Sequence, residues 1–314
     1  MMEMNRKLNR REALKRMGAL VAGTVAASTG AFSLASCKEH KPRRIILYFT
    51  GTGNCLYVAR QLSTENTTLL SIPQLVKQGQ YDLEAEEIGI VYPIYGHMPP
   101  AMVRQFIQKA NLKADYKFAV LTFGARKCNA VEIWDEAARK AGHTFDYITT
   151  MIMVDNWLPN FDMNEQMKLD KHIPESLQRI TTDLAARRRW HEPVTEEERM
   201  MHAGFMAYTG LDPEKGFVMK SEKYFRITDR CVDCGICTYV CPRGNYSLTS
   251  RGVKAEGDCD FCFACIQNCP QKAIQFAHLP QDPLLARGEV NPEARYRNEH
   301  VSLYDLKTAN NQKL

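Results

Sequence analysis

Eight cysteines between residues 231 and 269 repeat one spacing: Cys231-x2-Cys234-x2-Cys237-x3-Cys241-Pro242, then Cys259-x2-Cys262-x2-Cys265-x3-Cys269-Pro270. Thiolates two residues apart on a tight turn reach corners of one cuboidal [4Fe-4S] cluster. The fourth, where a helix leads away, faces the other cluster. The spacing therefore assigns Cys231, Cys234, Cys237 and Cys269 to one cluster, and Cys241, Cys259, Cys262 and Cys265 to a second. That exchange gives the segment a pseudo-twofold symmetry and brings the two clusters within electron-transfer reach. Sets of four thiolates also suit zinc, but structural zinc separates its CxxC pairs by longer gaps and needs no third Cys followed by Cys-Pro. Gly235 relieves crowding in the first loop, and the larger Phe263 stands at the matching position of the second. Backbone amides of both loops can donate to cluster sulfurs.

A second chemical signal is Thr50-Gly51-Thr52-Gly53-Asn54, between an apolar run and a helical one. Its glycines let the backbone close on an anion, and Thr hydroxyls and free amides at a helix start donate to a phosphate. It lacks the Lys of a triphosphate loop and the spacing of the dinucleotide fingerprint. It resembles the flavodoxin phosphate loop, Thr-x-Thr-Gly-Asn-Thr, with Cys55 for the last Thr, and the resemblance implies FMN. A thiol is the weaker donor, so FMN is expected to be held less tightly. The alternative is the same scaffold with an empty loop. Two more loops fall beyond the carboxyl ends of expected strands, where a doubly wound sheet places its ligand. One runs from Tyr92 to Pro99 and offers Tyr95 as a plate for a flavin ring. The other, from Thr122 to Asn129, offers backbone amides, Gly124 among them, and a cationic rim from Arg126 and Lys127. His97 reads as a surface residue and Cys128 as a spectator thiol; no Ser/His/Asp or Cys/His catalytic set is apparent.

The elements that position these loops alternate. Strands are expected over residues 44–49, 67–72, 88–92, 118–123 and within 144–154, with helices over 54–62, 100–109 and 130–141. That alternation implies a parallel sheet covered on both faces. The expected fold is thus a flavodoxin-like doubly wound α/β sheet plus a small α+β bacterial 2[4Fe-4S] ferredoxin-like domain. The domains are read as 42–160 (flavodoxin-like), 161–223 (a bridge with one or two amphipathic helices between Met163 and Trp190), 224–279 (cluster domain) and 280–314 (a C-terminal extension). Arg187-Arg188-Arg189 reads as a solvated face, with an acidic-surface contact as the alternative. A domain of about 55 residues has little core of its own, so clusters are expected to hold it folded.

Residues 1–37 have the layout of a bacterial signal peptide: a basic start with Arg10-Arg11, an Ala/Gly/Val-rich stretch, and Leu34-Ala35-Ser36-Cys37. The Arg pair resembles a twin-arginine signal, and the last four residues a lipobox, which implies acylation of Cys37 and a lipid anchor at a membrane surface. The alternative is an uncleaved helix or single membrane anchor. The formal charge of +5 lies mostly in this segment, and the rest is nearly neutral, with no electrostatic case for nucleic acid.

Taken together, the chain resembles the flavodoxin-ferredoxin fusion family called EFR-type ferredoxins over about residues 44–310. The likeness includes Tyr224-Phe225-Arg226-Ile227-Thr228 and the stretch from Arg295 to Leu303. It implies electron transfer between FMN and two [4Fe-4S] clusters, as a carrier or a reductase, with a redox protein or a small molecule as partner. With the amino terminus, the expectation is an exported lipoprotein of the bacterial envelope. The rival is a non-catalytic interaction or sensing lipoprotein, stabilised by clusters and without flavin.

Overall fold

The computed structural model describes residues 43–284 and 286–313; the signal-like segment and Cys37 lie outside them. Six strands, β1 (Arg44–Tyr48), β2 (Thr67–Ser71), β3 (Glu87–Pro93), β4 (Tyr116–Phe123), β5 (Tyr147–Ile152) and β6 (Trp190–His191), form one sheet in the order β2-β1-β3-β4-β5-β6. Every pairing is parallel. This is the doubly wound flavodoxin-like order, reversing between β1 and β3, and crevices form at such a switch point. Buried on both faces, the central strands read as apolar runs: all five residues of β1 are buried. In β3, Gly89 stands against the Phe118 ring, which a Cβ would meet at 2.1 Å, so β3 and β4 close only over glycine.

Helices α1 (Asn54–Gln61), α2 (Ile72–Gln78), α3 (Ala101–Lys109), α4 (Ala130–Lys140), α5 (Ile173–Ala185) and α6 (Glu196–Thr209) follow in chain order. The sheet does not end at residue 160, where the sequence places a boundary. α5 buries Ile180 and Leu184 in the same core, and β6 pairs with β5. The Glu192 carboxylate accepts from the Thr149 and Thr150 hydroxyls and the Thr150 amide, stitching the added segment to β5. Arg187, Arg188 and Arg189 pair with Glu87, Asp183 and Asp146 of the same fold.

The cysteine-rich lobe consists of short antiparallel pairs: β7 (Met219–Lys220) with β11 (Asp258–Cys259), β8 (Phe225–Ile227) with β12 (Ile274–Phe276), and the hairpin of β9 (Tyr246–Thr249) and β10 (Gly252–Ala255). Helices α7 (Ile236–Val240) and α8 (Ala264–Gln267) start after left-handed residues, Gly235 and Phe263. Left-handed backbone recurs at matching places of the two motifs: Asp233 and Phe261, Gly235 and Phe263, Gly244 and Lys272. The duplication is thus built into the backbone as well as into the cysteine spacing.

The carboxyl-terminal stretch is an integral strap. Its helix α9 (Leu303–Asn310) starts in a Ser302/Asp305 capping box and buries Leu306 and Ala309, with Val301 before it, in the core of the sheet lobe. The Ser71 hydroxyl donates to the Ala309 carbonyl, and Arg60 pairs with Asp305. Among the described residues no helix is long and apolar enough to cross a membrane.

Candidate functional site

A cavity of ≈ 570 Å³ opens beyond the carboxyl ends of β1, β3, β4 and β5. Its floor is the loop before α1. Gly53, at φ 101, takes the left-handed backbone that turns the chain into α1, a conformation glycine adopts without steric cost. The first-turn amides of α1 have no intrahelical acceptors, as at any helix start. Inside the loop the Gly53 amide donates to Thr50 Oγ1 (3.1 Å), and Asn156 Nδ2 donates to Thr52 Oγ1 (3.2 Å). Asn54 Nδ2 donates to the Val154 carbonyl.

Of the residues expected at the site, Gly51, Thr52, Asn54, Tyr95 and Gly124 line this cavity. Thr50 and Gly53 lie behind it and shape the loop: the Thr50 hydroxyl braces it, and Gly53 lies against Asn298 and Val301 of the strap. Cys55 does face the cavity. Its Sγ lies 3.1 Å from Thr122 Oγ1, and burial pushes the thiol up to about 12, so it is a neutral hydrogen-bonding group. Gly124 abuts Asp155, whose carboxyl is raised by burial and accepts from the Trp157 amide. Lys127, expected on a cationic rim, is turned to Glu192 and Glu198, leaving Arg126 at the cavity. His97 is not a surface residue; it is 8% exposed and lines the wall. Cys128 is buried away from the cavity, and burial raises its thiol.

The far wall belongs to the other lobe. Trp157 stacks on Phe261 and packs at steeper angles against Phe263, Phe217 and Phe276, at centroid separations of 5.4–6.3 Å, and all but Phe276 line the cavity. Phe261 and Phe263 flank Cys262, so their left-handed backbones aim two rings at the cavity while the cysteine between them faces its partner thiols Cys241 and Cys265. A Cβ on Gly51 would lie 2.1 Å from the Cys262 carbonyl oxygen, so the loop and the second cysteine motif touch backbone to backbone. The strap completes the joint. Tyr296 donates its hydroxyl to Asn54 Oδ1 (2.6 Å) and its amide to Gln267 Oε1 of α8 (2.7 Å). The Asn298 amide donates to the Thr52 carbonyl, and Asn310 Nδ2 to the Thr50 carbonyl.

The eight thiols fall into two neighbourhoods. Burial, then Cys269, Cys231 and Cys234, push Cys237 up to about 12; burial, then Cys262, Cys265 and Cys241, raise Cys259. Cys231, Cys234, Cys237 and Cys269 also line one small pocket. Amides of Asn245, Phe261 and Ala273 point at the sulfurs of Cys241, Cys259 and Cys269, and the Tyr246 hydroxyl at Cys265. Such crowded, buried thiols ionise only with a cationic partner. Among the described residues no three His, Cys, Asp or Glu side chains converge on a single-ion site; a cuboidal cluster holds its four thiolates further apart than one ion does. Cys234 is exposed, whereas Cys262 and Cys265 are buried, and Cys262 lies against Gly51 of the cavity floor.

Sequence reasoning missed Trp157, Asn156, Phe261 and the strap contacts of Tyr296, Asn298 and Asn310. The available signals were the pair of aromatics bracketing Cys262, in a motif whose other copy has Asp233 and Gly235, and the family-like stretch from Arg295 to Leu303 that holds Tyr296 and Asn298.

Residues 223–270 match the family model of the 4Fe-4S dicluster domain. A protein of Proteus vulgaris, named as a probable iron-sulfur subunit of the Frd operon, is 28% identical over 82 residues, covering 20% of this chain and 52% of that protein. The chain thus spans about half the length of this curated relative. Among solved structures, a flavoprotein candidate from Bacteroides uniformis is similar at 13% identity and a TM-score of 0.28, over 36% of this chain and 91% of that one. The Trp repressor binding protein from Bacillus subtilis is similar at 9% identity and a TM-score of 0.28, over 43% and 98%. The chain thus combines a flavodoxin-like parallel sheet with a carboxyl-terminal iron-sulfur domain of the 4Fe-4S dicluster kind, a domain type suited to electron transfer.

Proposed function

We propose that this chain is an electron-transfer protein of the flavodoxin-ferredoxin fusion type, moving electrons between FMN in the cavity and two [4Fe-4S] clusters, as a carrier or a reductase. The observation that carries the reading is the wall shared by Gly51 and Cys262, which leaves no side chain between the anion-type loop and the second thiol set. The residues present fit both groups. Thr52, Gly51 and the first-turn amides of α1 would hold a phosphate; Tyr95, Trp157 and Phe263 bound a slot for a planar ring; the two thiol sets would each hold a cluster. When bound, FMN exchanges two electrons with a molecular reactant and single electrons with clusters. The aromatic side chains of the wall would orient a bound flavin, burial keeps the Cys55 thiol neutral, and Asp155 and Arg126, which line the same cavity, would offer it polar contacts.

Export by the twin-arginine route and anchoring through acylated Cys37 belong to the same proposal, supported by Arg10-Arg11 and by Leu34-Ala35-Ser36-Cys37. A route that moves folded proteins suits clusters inserted before export. The reactant is then a redox protein or small molecule at a membrane surface, with no role for nucleic acid.

The test is an anaerobic absorption spectrum of the purified protein with iron, sulfide and acid-released flavin analysis. About eight irons and about one FMN per chain are expected. Full iron without flavin, and no uptake of added FMN, would end the flavin part, and zinc in place of iron would end the cluster part.

A further inference from the structure

His97, in the wall of the cavity, meets the ring of His202 edge-on, with 3.4 Å between their Nδ1 atoms. His97 is at the tip of a two-residue turn closed by reciprocal Tyr95 and Met98 backbone bonds, with φ 54 at Gly96 and φ 67 at His97. Turns with two positive φ values favour Asn and Gly, so this imidazole is held at a backbone cost. His97 lines the cavity; His202, half-buried, lies on α6, a helix with no buried residue and hence open to solvent. The other groups around His97 are Arg126 from the loop after β4, the Phe205 ring at 4.6 Å, and Phe217 packed on Gly96. At this separation one ring can donate Nδ1–H to the Nδ1 lone pair of the other, and the tautomers decide which ring donates.

We propose that His202 and His97 form a proton path between solvent and the cavity. His202 takes a proton at Nε2 from hydronium or a buffer acid in solvent, which leaves as water or the buffer base, and passes its Nδ1 proton to Nδ1 of His97, which releases its Nε2 proton to the cavity ligand. Each ring forms one N–H bond and breaks one, and both stay neutral. The reverse transfer, when the ligand is reoxidised, restores both tautomers. Burial, with His202 and Arg126 adding to it, holds His97 down at about 4, and burial also lowers His202, so neither ring is trapped as a cation at neutral pH. The path rests on the reading of the cavity as a redox-cofactor site, because reduction of a flavin takes up protons as well as electrons.

Two measurements test it. Nitrogen-15 NMR of the histidine-labelled protein at neutral pH, before FMN is added, should show one ring protonated at Nδ1 and the other at Nε2. Two Nε2-protonated rings would overturn the path. With FMN loaded, His202→Ala should slow stopped-flow flavin reduction by about a hundredfold, with recovery on adding imidazole and unchanged FMN affinity. A parental rate and solvent isotope effect in that variant would also overturn it. Failure to bind FMN would instead count against the cavity reading, while the NMR result would still decide the imidazole pair.

Discussion

At the scale of single residues, two glycines with opposite surroundings separate a contact from a propensity. Gly51 meets the Cys262 backbone, whereas a Cβ on Gly204, inside α6, would meet nothing within 4 Å. Gly51→Ala should destabilise the protein by about 1–3 kcal/mol, because neither backbone can yield cheaply, and on the proposed function it should also weaken FMN binding. Gly204→Ala should stabilise it by about 0.5–1 kcal/mol. Thermal unfolding midpoints measured side by side check this, and a Gly51→Ala protein at least as stable as its parent would remove the shared wall from the account. The sequence made Gly51 legible as a loop glycine. It could not show that the reason for glycine lies 211 positions further on, at Cys262.

At the scale of elements, the sheet is pinned at the amino ends of its strands by a buried charge cluster. Glu87 of β3 accepts from Arg44 of β1 at 2.7 Å and from Arg187 of the loop after α5 at 2.8 Å; Arg44 also donates to the Leu62 carbonyl. Removing one partner of a buried pair leaves a charge with no counterion, so Glu87→Ala should cost about 3–5 kcal/mol. A urea midpoint followed by far-ultraviolet circular dichroism measures it, and a loss below about 1 kcal/mol would mean that water reaches Arg44. Five of the six strands of the sheet were readable from apolar period and glycine punctuation. β6 was not, because two residues carry no period; the carboxylate of Glu192 and the packing of α5 create it. The helix α2 was overlooked although Pro73 and Gly79 mark its two ends in the favoured places.

At the scale of the whole molecule, the strap and the second cysteine motif grip the same loop from two sides. The cysteine-rich lobe is small, so its thiol-bound iron should hold it folded. Removing the iron anaerobically with a chelator should therefore raise amide exchange across that lobe. It should also raise exchange in the loop before α1 and in the strap near Tyr296, while β3 and β4 keep their protection. Hydrogen exchange by mass spectrometry gives all of these at once. A lobe that unfolds while the loop stays protected would show that the strap alone holds the site.

The sequence by itself determined the fold class and the iron-sulfur kind of the second domain. Cysteine spacing and alternating periodicity are local patterns, and local geometry is enough to read an iron-sulfur domain or a parallel sheet. Only the tertiary structure decided the adjacency. That Gly51, in the loop before α1, lies against Cys262, that Tyr296 and Asn298 close over Asn54, and that His97 meets His202 are contacts between segments far apart in the chain, set by how those segments bury apolar surface against each other. No periodicity records such pairings, because each partner satisfies its own local pattern whether or not the other is there.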